Sequence, residues 1–287
     1  MKFYIVIPAH NEEKFIQLTL DSLINQSLRP KKIVVVDDNS TDKTSELVSQ
    51  YTEKFPFIHL LQISSTTEHL PGSKVINAFY KGFETLDDAY DIVCKFDADL
   101  IFPENYLEQV AEIFKTNPKC GMAGGLLYIE KNKEWVYENI SNKDHLRGPI
   151  KAYRKSCFKT IGGLKKSIGW DTADVLLAKF YQWEVFINEN LKVKHLKITG
   201  QKYNKSARYK QGETLYKLRY GIVLAAFASL KISILKKKPG LFFDYLKGYC
   251  TAKEKNKSFL VSKEQGKFLR AYRWKSIKVN FFNNFFL

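Results

Sequence analysis

The first hundred residues alternate short apolar runs with segments of helical periodicity, and this alternation limits the possible folds more than any other feature. It is typical of βαβ units on a mostly parallel sheet. The run Ile33–Val36 is entirely β-branched, as expected for a strand buried on both faces. The pattern predicts strands at 3–7, 33–36, 57–63 and 92–96. It predicts helices at 12–25, after 42 to about 54, at 72–86 and from 103 to about 116.

Two residues are candidates for starting helices in this region. Asn11 is a candidate N-cap for the first helix, and Pro103 suits the first helical position of the fourth.

Beyond residue 116 the regular alternation of strands and helices changes. Strands are predicted at 122–129, 150–153 and 183–187, and helices at 156–161 and 171–180. We therefore expect an α/β core with a mixed extension of its sheet.

From Tyr203 onward the sequence is helical, basic and rich in aromatic residues, and Pro239-Gly240 is its clearest break. We expect one domain over residues 1–201 and a helical extension over 202–287. The net charge of +16 is confined to the extension, because residues 1–201 hold 26 basic and 26 acidic residues. A charge segregated in this way favours an anionic partner: a membrane surface, a diphosphate or a nucleic acid.

Composition narrows the class of protein. Hydrophobic residues make up 45% and charged residues 26% of the chain, which is typical of a globular protein that can bury a core, so a disordered chain is not the default expectation. The four cysteines are far apart and form no Cys-x-x-Cys pair, so neither a zinc site nor a disulfide framework is predicted. The N-terminus opens directly on a strand pattern without a signal-peptide run. A reducing, cytoplasmic location is expected.

The apolar run Gly221–Leu230 is the most hydrophobic part of the extension. It is shorter than the ~20 residues that cross a bilayer, and Lys236-Lys237-Lys238 follows it. With the aromatic residues further along, it fits an element lying in the interface of an anionic membrane. The alternative is a core helix with a merely solvated basic surface. The first interpretation places the protein peripherally on the inner face of the cytoplasmic membrane.

Polar and acidic residues follow three predicted strands directly. These are Pro8-Ala9-His10-Asn11-Glu12, Asp37-Asp38 and Asp97-Ala98-Asp99. In open α/β sheets the ligand lies beyond the carboxyl ends of the strands. Two carboxylates spaced i, i+2 can bind Mg²⁺ or Mn²⁺ together with substrate phosphates. The alternative for Asp37 and Asp38 is an acidic cluster stabilised by the dipole of the following helix.

Four motifs in this order resemble those of the family 2 glycosyltransferases of the GT-A fold. They are Val-Ile-Pro-Ala-x-Asn-Glu at 6–12, Val-Val-Asp-Asp-Asn-Ser-Thr-Asp at 35–42, Gly72 with Asn77, and Asp97-Ala98-Asp99. The resemblance covers about the first 200 residues. It implies a Rossmann-like mixed sheet flanked by helices, with a nucleotide-binding half at 1–99 and an acceptor and catalytic half at 100–201.

The resemblance also implies roles for individual residues. Asp99 would bind the divalent metal that bridges the diphosphate, Asp97 would support the ribose or the metal, and His195 matches a histidine that can approach the metal. An ordinary core or surface histidine is the alternative for His195. The residues expected to bind the nucleotide sugar are Pro8, Ala9, Asn11, Glu12, Asp38, Lys74 and Asp97, with Arg208 and Lys210 at the diphosphate. For the last two the alternative is a solvated helix face.

Sugar transfer needs a base for the acceptor hydroxyl, and a carboxylate is the usual one. The family places an acidic pair after a Gly-Gly; here Gly162-Gly163 is followed by Trp170-Asp171, so Asp171 matches the base. Trp170 stands where a glutamate is common. The alternative makes Asp171 a helix cap, and Asp174 is interpreted as structural.

These observations predict an inverting, metal-dependent glycosyltransferase. The expected donor is a nucleotide-diphosphate sugar, with a UDP-sugar favoured. The expected acceptor is a glycan or lipid-linked hydroxyl in cell-surface polysaccharide, lipopolysaccharide or glycolipid synthesis. A sugar-phosphate nucleotidyltransferase is disfavoured because no Gly-rich, Arg-containing loop follows the first strand. A nucleic-acid-binding tail is the non-enzymatic alternative, but the tail shows no known module, so no nucleic-acid partner is expected.

Overall fold

The computed structural model describes residues 1–65, 72–139, 145–197 and 205–285. The chain divides into two compact units. The first comprises 1–166 and 170–199, and the second comprises 167–169 and 200–287.

The first unit is built from nine strands and six helices in its described residues. In chain order they are β1 (Phe3–Ala9), α1 (Ile16–Ile24), β2 (Lys32–Asp38), α2 (Thr44–Lys54), β3 (Ile58–Ile63), α3 (Ser73–Phe83), β4 (Ile92–Phe96), β5 (Leu100–Ile101), α4 (Tyr106–Thr116), β6 (Cys120–Lys131), β7 (Glu134–Tyr137), β8 (Ile150–Arg154), α5 (Lys155–Thr160), α6 (Trp170–Phe180) and β9 (Glu184–His195).

The strands form one mixed sheet in the order β3-β2-β1-β4-β8-β6-β9-β5, with β7 paired to β6. The first four strands of this order are mutually parallel. Strand β8 runs antiparallel to β4, and β6 runs antiparallel to β8 and parallel to β9. The α/β core and its mixed extension are thus confirmed. The carboxyl ends of β1, β2 and β4 lie side by side, which gathers the three polar strand ends at one edge.

Burial follows the sequence pattern that predicted the strands. Ile33–Val36 is fully buried, as are Ile92, Val93, Cys94 and Phe96 of β4. Helix α1 is joined to the end of β4 by Thr19, whose hydroxyl donates to the carbonyl of Ala98 (2.8 Å) and accepts from the backbone N–H of Leu100 (2.9 Å). This buried link fixes the backbone on both sides of Asp99.

Two of the predicted helix starts are wrong. Helix α1 begins at Ile16, with Phe15 at its N-cap, whereas Asn11 has a φ of 56° and bonds to the neighbouring loop. Asparagine tolerates this left-handed conformation because its short amide finds local partners. Helix α4 begins at Tyr106, and Pro103 instead begins the turn before it, in which the Pro103 carbonyl accepts the Tyr106 N–H (3.0 Å).

Two strands were not predicted, and several are longer than predicted, β9 by the largest margin. Strand β5 has only two residues. Strand β7 folds back on β6 through Asn132 and Lys133, which have φ of 51° and 66°, and no glycine marks that turn. Strand β9 continues through His195 instead of stopping at Ile187. Its pairing with β6 shifts register between Gly124 and Leu126, which interrupts the alternation that sequence reading relies on.

The second unit is helical in its described residues, as predicted. It contains α7 (Lys205–Lys217), α8 (Ile222–Leu235), α9 (Gly240–Glu254) and α10 (Lys263–Phe285). The break at Pro239-Gly240 separates α8 from α9. Helices α7 and α9 approach closely at two glycines: a Cβ on Gly212 would lie 1.9 Å from the Tyr245 carbonyl oxygen, and one on Gly248 would lie 2.0 Å from that of Tyr209. Any larger residue at either position would push the helices apart.

Candidate active site

The end of β4 and the end of β9 bring Asp97, Asp99 and His195 together. Leu100 pairs with His195 in the sheet, and the N–H of Leu196 donates to the carbonyl of Asp99 (2.9 Å). One ligand atom from each of the three side chains lies within 4.8 Å of the others. Asp99 and His195 are buried and Asp97 is partly exposed. Two carboxylates and an imidazole fit a divalent cation such as Mn²⁺ or Mg²⁺.

His195 is held on both ring nitrogens. Its Nδ1 lies 3.1 Å from Glu138 Oε2, and its Nε2 lies 3.5 Å from Asp99 Oδ2. Burial lowers the pKa of His195, but hydrogen bonds and charge from Asp99 and Glu138 outweigh it and raise the pKa to about 9. A carboxylate behind a ligand histidine orients the ring and fixes which nitrogen faces a metal.

Glu138 and Arg147 were not among the residues found from the sequence. Glu138 is almost fully buried, and an Arg147 guanidinium nitrogen lies 3.4 Å from its Oε2. Both flank residues 140–144 in a segment without a recognisable motif. The sequence shows only a glutamate and an arginine in a segment with a loop-like pattern. Because such residues are usually solvated, this pattern did not predict a buried ion pair.

Glu12 supplies a further carboxylate near the metal-site candidates. Its side chain is paired with Lys197 and is only 15% exposed. Burial raises the pKa of Glu12 to about 7, Lys197 opposes this rise, and the charges of Asp99 and Asp97 add to it. Its backbone N–H donates to Thr44 Oγ1 (2.7 Å), and its carbonyl accepts the N–H groups of Phe15 and Ile16, which starts α1.

The loop after β1 is fastened to the loop after β2. Asn11 accepts from the Thr41 N–H (2.8 Å) through its side chain, and its own N–H donates to Ser40 Oγ (2.9 Å). Asp37 bonds to Ser40 and to Ser45 in the first turn of α2. The interpretation of Asp37 as part of a helix N-terminal acidic cluster therefore fits the structure.

Asp38 points elsewhere. Its carboxylate accepts from the N–H (3.0 Å) and hydroxyl (2.8 Å) of Ser65, just beyond β3. Pro8 and Ala9 lie at the end of β1, opposite Val36 and Asp37. Lys74 lies partly buried in the first turn of α3. These residues therefore share the carboxyl edge of the parallel strands, while their contact with a nucleotide stays a prediction.

Asp171 is the second residue of α6 and not its cap. Its side chain is 34% exposed, and Oδ2 lies 3.8 Å from Nε2 of His145. Burial raises the pKa of Asp171, but His145, Lys151 and Arg147 more than compensate and lower it to about 2. Asp171 is therefore ionised at neutral pH, which is the state that can accept a proton.

Asp174 has a structural place, in agreement with its interpretation from the sequence. It is fully buried and forms an ion pair with Lys151, whose Nζ lies 2.6 and 2.8 Å from its two oxygens. The Tyr153 hydroxyl also donates to it. Lys151 donates as well to the carbonyl of Asp171 (2.6 Å), so the pair holds the first turn of α6 against β8.

Arg208 and Lys210 lie on α7 in the second unit. Both side chains are partly buried, and Arg208 lies 3.4 Å from Asp244 of α9. Contact of these two residues with a diphosphate stays a prediction.

The sheet order and the acidic pair at the end of β4 define a GT-A type nucleotide-binding fold. A family model described as "Glycosyl transferase family 2" matches residues 4–169. The chain belongs to this family.

Curated relatives agree with this assignment. A probable glycosyltransferase, YdaM, of Bacillus subtilis is 36% identical over 101 residues, which cover 34% of this chain and 23% of the relative. A poly-β-1,6-N-acetyl-D-glucosamine synthase of Staphylococcus aureus is 28% identical over 180 residues, covering 58% of this chain and 41% of the relative. The chain thus spans less than half the length of these relatives.

Solved structures share the fold. TarS 1–349 of S. aureus in complex with UDP-GlcNAc superposes with a TM-score of 0.61 at 19% identity, covering 80% of this chain and 72% of that one. The mannosyltransferase PcManGT of Pyrobaculum calidifontis, in complex with GDP-Man and Mn²⁺, gives a TM-score of 0.57 at 16% identity, covering 96% and 80%. The GT-A type fold predicted from the sequence is confirmed.

Proposed function

We propose that the chain transfers a sugar from a nucleotide-diphosphate sugar to an acceptor hydroxyl, with inversion at the sugar carbon. The observation that carries this proposal is the grouping of Asp97, Asp99 and His195 at the carboxyl edge of the sheet. Family membership supports the same reaction class. UDP-sugars are the first donors to test, because TarS was solved with UDP-GlcNAc, and GDP-Man, bound by PcManGT, is the second.

Asp171 acts as the base in this proposal. It takes the proton from the acceptor hydroxyl as that oxygen forms a bond to the sugar C1, and the nucleoside diphosphate leaves from the opposite side. Asp97, Asp99 and His195 would hold Mn²⁺ or Mg²⁺, which supplies positive charge to stabilise the diphosphate. Glu138 orients His195 for that task. The low pKa of Asp171 makes it a weaker base than one poised near neutrality.

The nucleotide is assigned to the edge formed by residues 1–99 and the acceptor to residues 100–201. Pro8, Ala9, Asn11, Glu12, Asp38 and Lys74 would bind the base, ribose or phosphates, because they share the carboxyl edge of β1 and β2 or the start of α3. Arg208 and Lys210 would contact the diphosphate. The acceptor would be a glycan or a lipid-linked precursor of a cell-surface polymer, in keeping with the poly-β-1,6-N-acetyl-D-glucosamine synthases among the relatives.

Donor binding is testable by thermal unfolding with Mn²⁺ and a panel of nucleotide sugars. At a hundredfold excess over Kd, a bound donor stabilises the folded state by about 2.7 kcal/mol, which raises Tm by about 5–10 °C for a unit of about 200 residues such as the first one. We expect UDP-sugars to give the largest shift and EDTA to abolish it. If no nucleotide sugar shifts Tm while RNA or DNA binds with a steep salt dependence, the nucleic-acid alternative would replace this proposal.

We further propose that the second unit binds anionic membranes from the cytoplasmic side. Among the described residues, no helix is both long and apolar enough to cross a bilayer. Helix α8 buries Leu224 and Ala225 but exposes a second set of apolar side chains: Ile222, Val223, Phe227, Leu230, Ile234 and Leu235. Phe243 of α9 is 70% exposed. Lys236, Lys237 and Lys238 follow the exposed apolar side chains directly, which suits an anionic lipid surface.

Vesicle sedimentation tests this surface. The full chain should sediment with phosphatidylglycerol vesicles at low salt and stay in solution with phosphatidylcholine. Replacing Lys236, Lys237 and Lys238 by alanine should weaken binding by on the order of 100-fold, at about 1 kcal/mol per lysine. Phe227→Ser should also weaken it, whereas Leu18→Ser should not, because Leu18 is an exposed leucine of the first unit. Equal binding to both lipids would contradict the proposal.

A further inference from the structure

Two buried lysines face each other on neighbouring strands beneath the candidate active site. Lys95 of β4 is directly opposite Lys151 of β8 in the antiparallel pair, and their side chains are 2% and 0% exposed. Like charges in directly opposite positions repel, and a buried ammonium needs compensation. An arrangement of this kind persists only if something beside it stabilises both charges.

Trp170 contacts both of them. Its ring centroid lies 5.2 Å from Lys95 Nζ and 5.3 Å from Lys151 Nζ. An aromatic ring within about 6 Å of an ammonium attracts it through the ring quadrupole, most strongly away from water. The ring is also closely packed, since a Cβ on Gly148 would lie 3.1 Å from it. Trp170 therefore stabilises both lysines and has little room to move.

Each lysine also reaches a carboxylate or carbonyl of the site. Lys95 forms an ion pair with Asp97, the partly exposed member of the metal-site candidates. Lys151 binds Asp174 and the carbonyl of Asp171. A continuous series of contacts thus runs from Asp97 through Lys95, Trp170 and Lys151 to the first turn of α6. These contacts join the metal-site candidates to the turn that carries Asp171, and the reaction requires that these two parts of the site keep a fixed relative position.

We propose that Trp170, between Lys95 and Lys151, is a positioning residue that fixes Asp171 relative to the Asp97–Asp99 metal site. This rests on the proposed function, in which Asp171 is the base and Asp97 and Asp99 hold the metal. The ring stabilises two ammonium groups at once without adding a further buried carboxylate beside Asp171.

Kinetics with the donor found by thermal unfolding test this role. Trp170→Leu removes the ring and should lower kcat by about 10- to 100-fold, because small displacements of a base are costly. KM for the donor should change less than kcat, because Trp170 reaches a proposed nucleotide contact, Asp97, only through Lys95. Trp170→Phe keeps an aromatic face and should retain most of kcat. A loss in Trp170→Phe as large as in Trp170→Leu, or full kcat in Trp170→Leu, would overturn the proposal.

Tyr90→Leu is the matched control. Tyr90 is likewise a buried ring beside a lysine, with Lys155 Nζ 5.0 Å from its centroid, but it lies before β4, at the opposite end of that strand from Asp97. The Tyr90→Leu substitution should lower the thermal midpoint of unfolding without lowering kcat. If Tyr90→Leu lowers kcat as much as Trp170→Leu, the effect is general loss of packing and the proposal is wrong.

A second measurement does not depend on turnover. Mg²⁺ bound at Asp97 and Asp99 should bring positive charge close to Lys95 while the Lys95–Asp97 pair persists. It should therefore change the fluorescence of Trp170, isolated as the difference between wild type and Trp170→Phe because the chain has four tryptophans. Lys95→Met should still bind Mg²⁺ by calorimetry but lose the fluorescence change. If Mg²⁺ binds without changing the emission of Trp170, or does not bind at all, the proposed connection between the metal site and Trp170 is wrong.

The two measurements separate this inference from the function it rests on. If no donor is turned over but Mg²⁺ still changes Trp170 emission through Lys95, the proposed function fails while the link to the metal site stands. If transfer occurs but neither kcat nor emission depends on the ring, the function stands and the positioning role fails.

Discussion

Replacing Asp171 by asparagine is expected to lower the rate of sugar transfer by about 100-fold or more while the protein stays folded. General bases contribute about 10²–10⁴-fold, and a base with a low pKa belongs toward the lower end of that range. Asparagine keeps the size of the side chain but cannot accept the proton. Because the pKa of Asp171 is lowered to about 2, wild-type Asp171 stays ionised at all pH values above about 4. The loss in Asp171→Asn should therefore be nearly independent of pH between 6 and 9.

Asp88→Asn is the matched control for this change. Asp88 is also paired with cations, Lys155 and Lys159, but it precedes β4 and so lies at the amino end of the parallel strands. It should leave kcat and the donor KM unaltered. Full transfer activity in Asp171→Asn would remove Asp171 from the mechanism and leave its carboxylate with a structural role only.

Replacing Asp174 by alanine is expected to destabilise the first unit by about 3–5 kcal/mol, because it leaves the fully buried ammonium of Lys151 without its carboxylate. Tyr153 would lose its acceptor at the same time. The first unit should unfold at a clearly lower urea concentration, and its thermal midpoint should fall by about 6–20 °C. Circular dichroism followed against urea measures the change.

A double variant separates the buried charge from the lost contact. In Asp174→Leu with Lys151→Met neither charge is buried, and apolar replacements of a buried ion pair are often neutral or stabilising. We expect this pair to recover much of the stability lost in Asp174→Ala. If Asp174→Ala unfolds at the wild-type urea concentration, the pair does not hold α6 against β8 as described.

The parts of the fold that follow from local pattern were predictable. The limits of β4 at 92–96 match because a mainly apolar run, interrupted by Lys95, is bounded there by Asp91 and Asp97. Since ligands bind beyond the carboxyl ends of the strands in open α/β sheets, Asp97 and Asp99 were then placed at the ligand edge. His195 was found only through the family resemblance. Its meeting with Asp99 depends on β5 and β9 pairing across almost a hundred residues of sequence, and β5 is too short to have a pattern of its own.

The residues that support the site were not predictable in the same way. Lys95, Lys151 and Glu138 read as ordinary polar residues, since charged side chains are almost always solvated unless paired. Two of them have partners that are distant in the sequence: Glu138 contacts His195, and Lys151 contacts Asp174. Burial and pairing arise only when the strands assemble. Asn11 was misinterpreted for a related reason, because its bonds are made with residues 40 and 41 instead of with its own helix.

The most direct test of the account measures release of nucleoside diphosphate from the selected donor, with and without acceptor, in Mn²⁺ and in EDTA. The account predicts Mn²⁺-dependent turnover by wild type that falls by at least about 100-fold in Asp99→Ala, because the charge stabilisation that a bound metal gives is worth several kcal/mol. Asp21→Asn, an acid on α1, should behave as wild type. Undiminished turnover in Asp99→Ala or in EDTA would contradict the central claim.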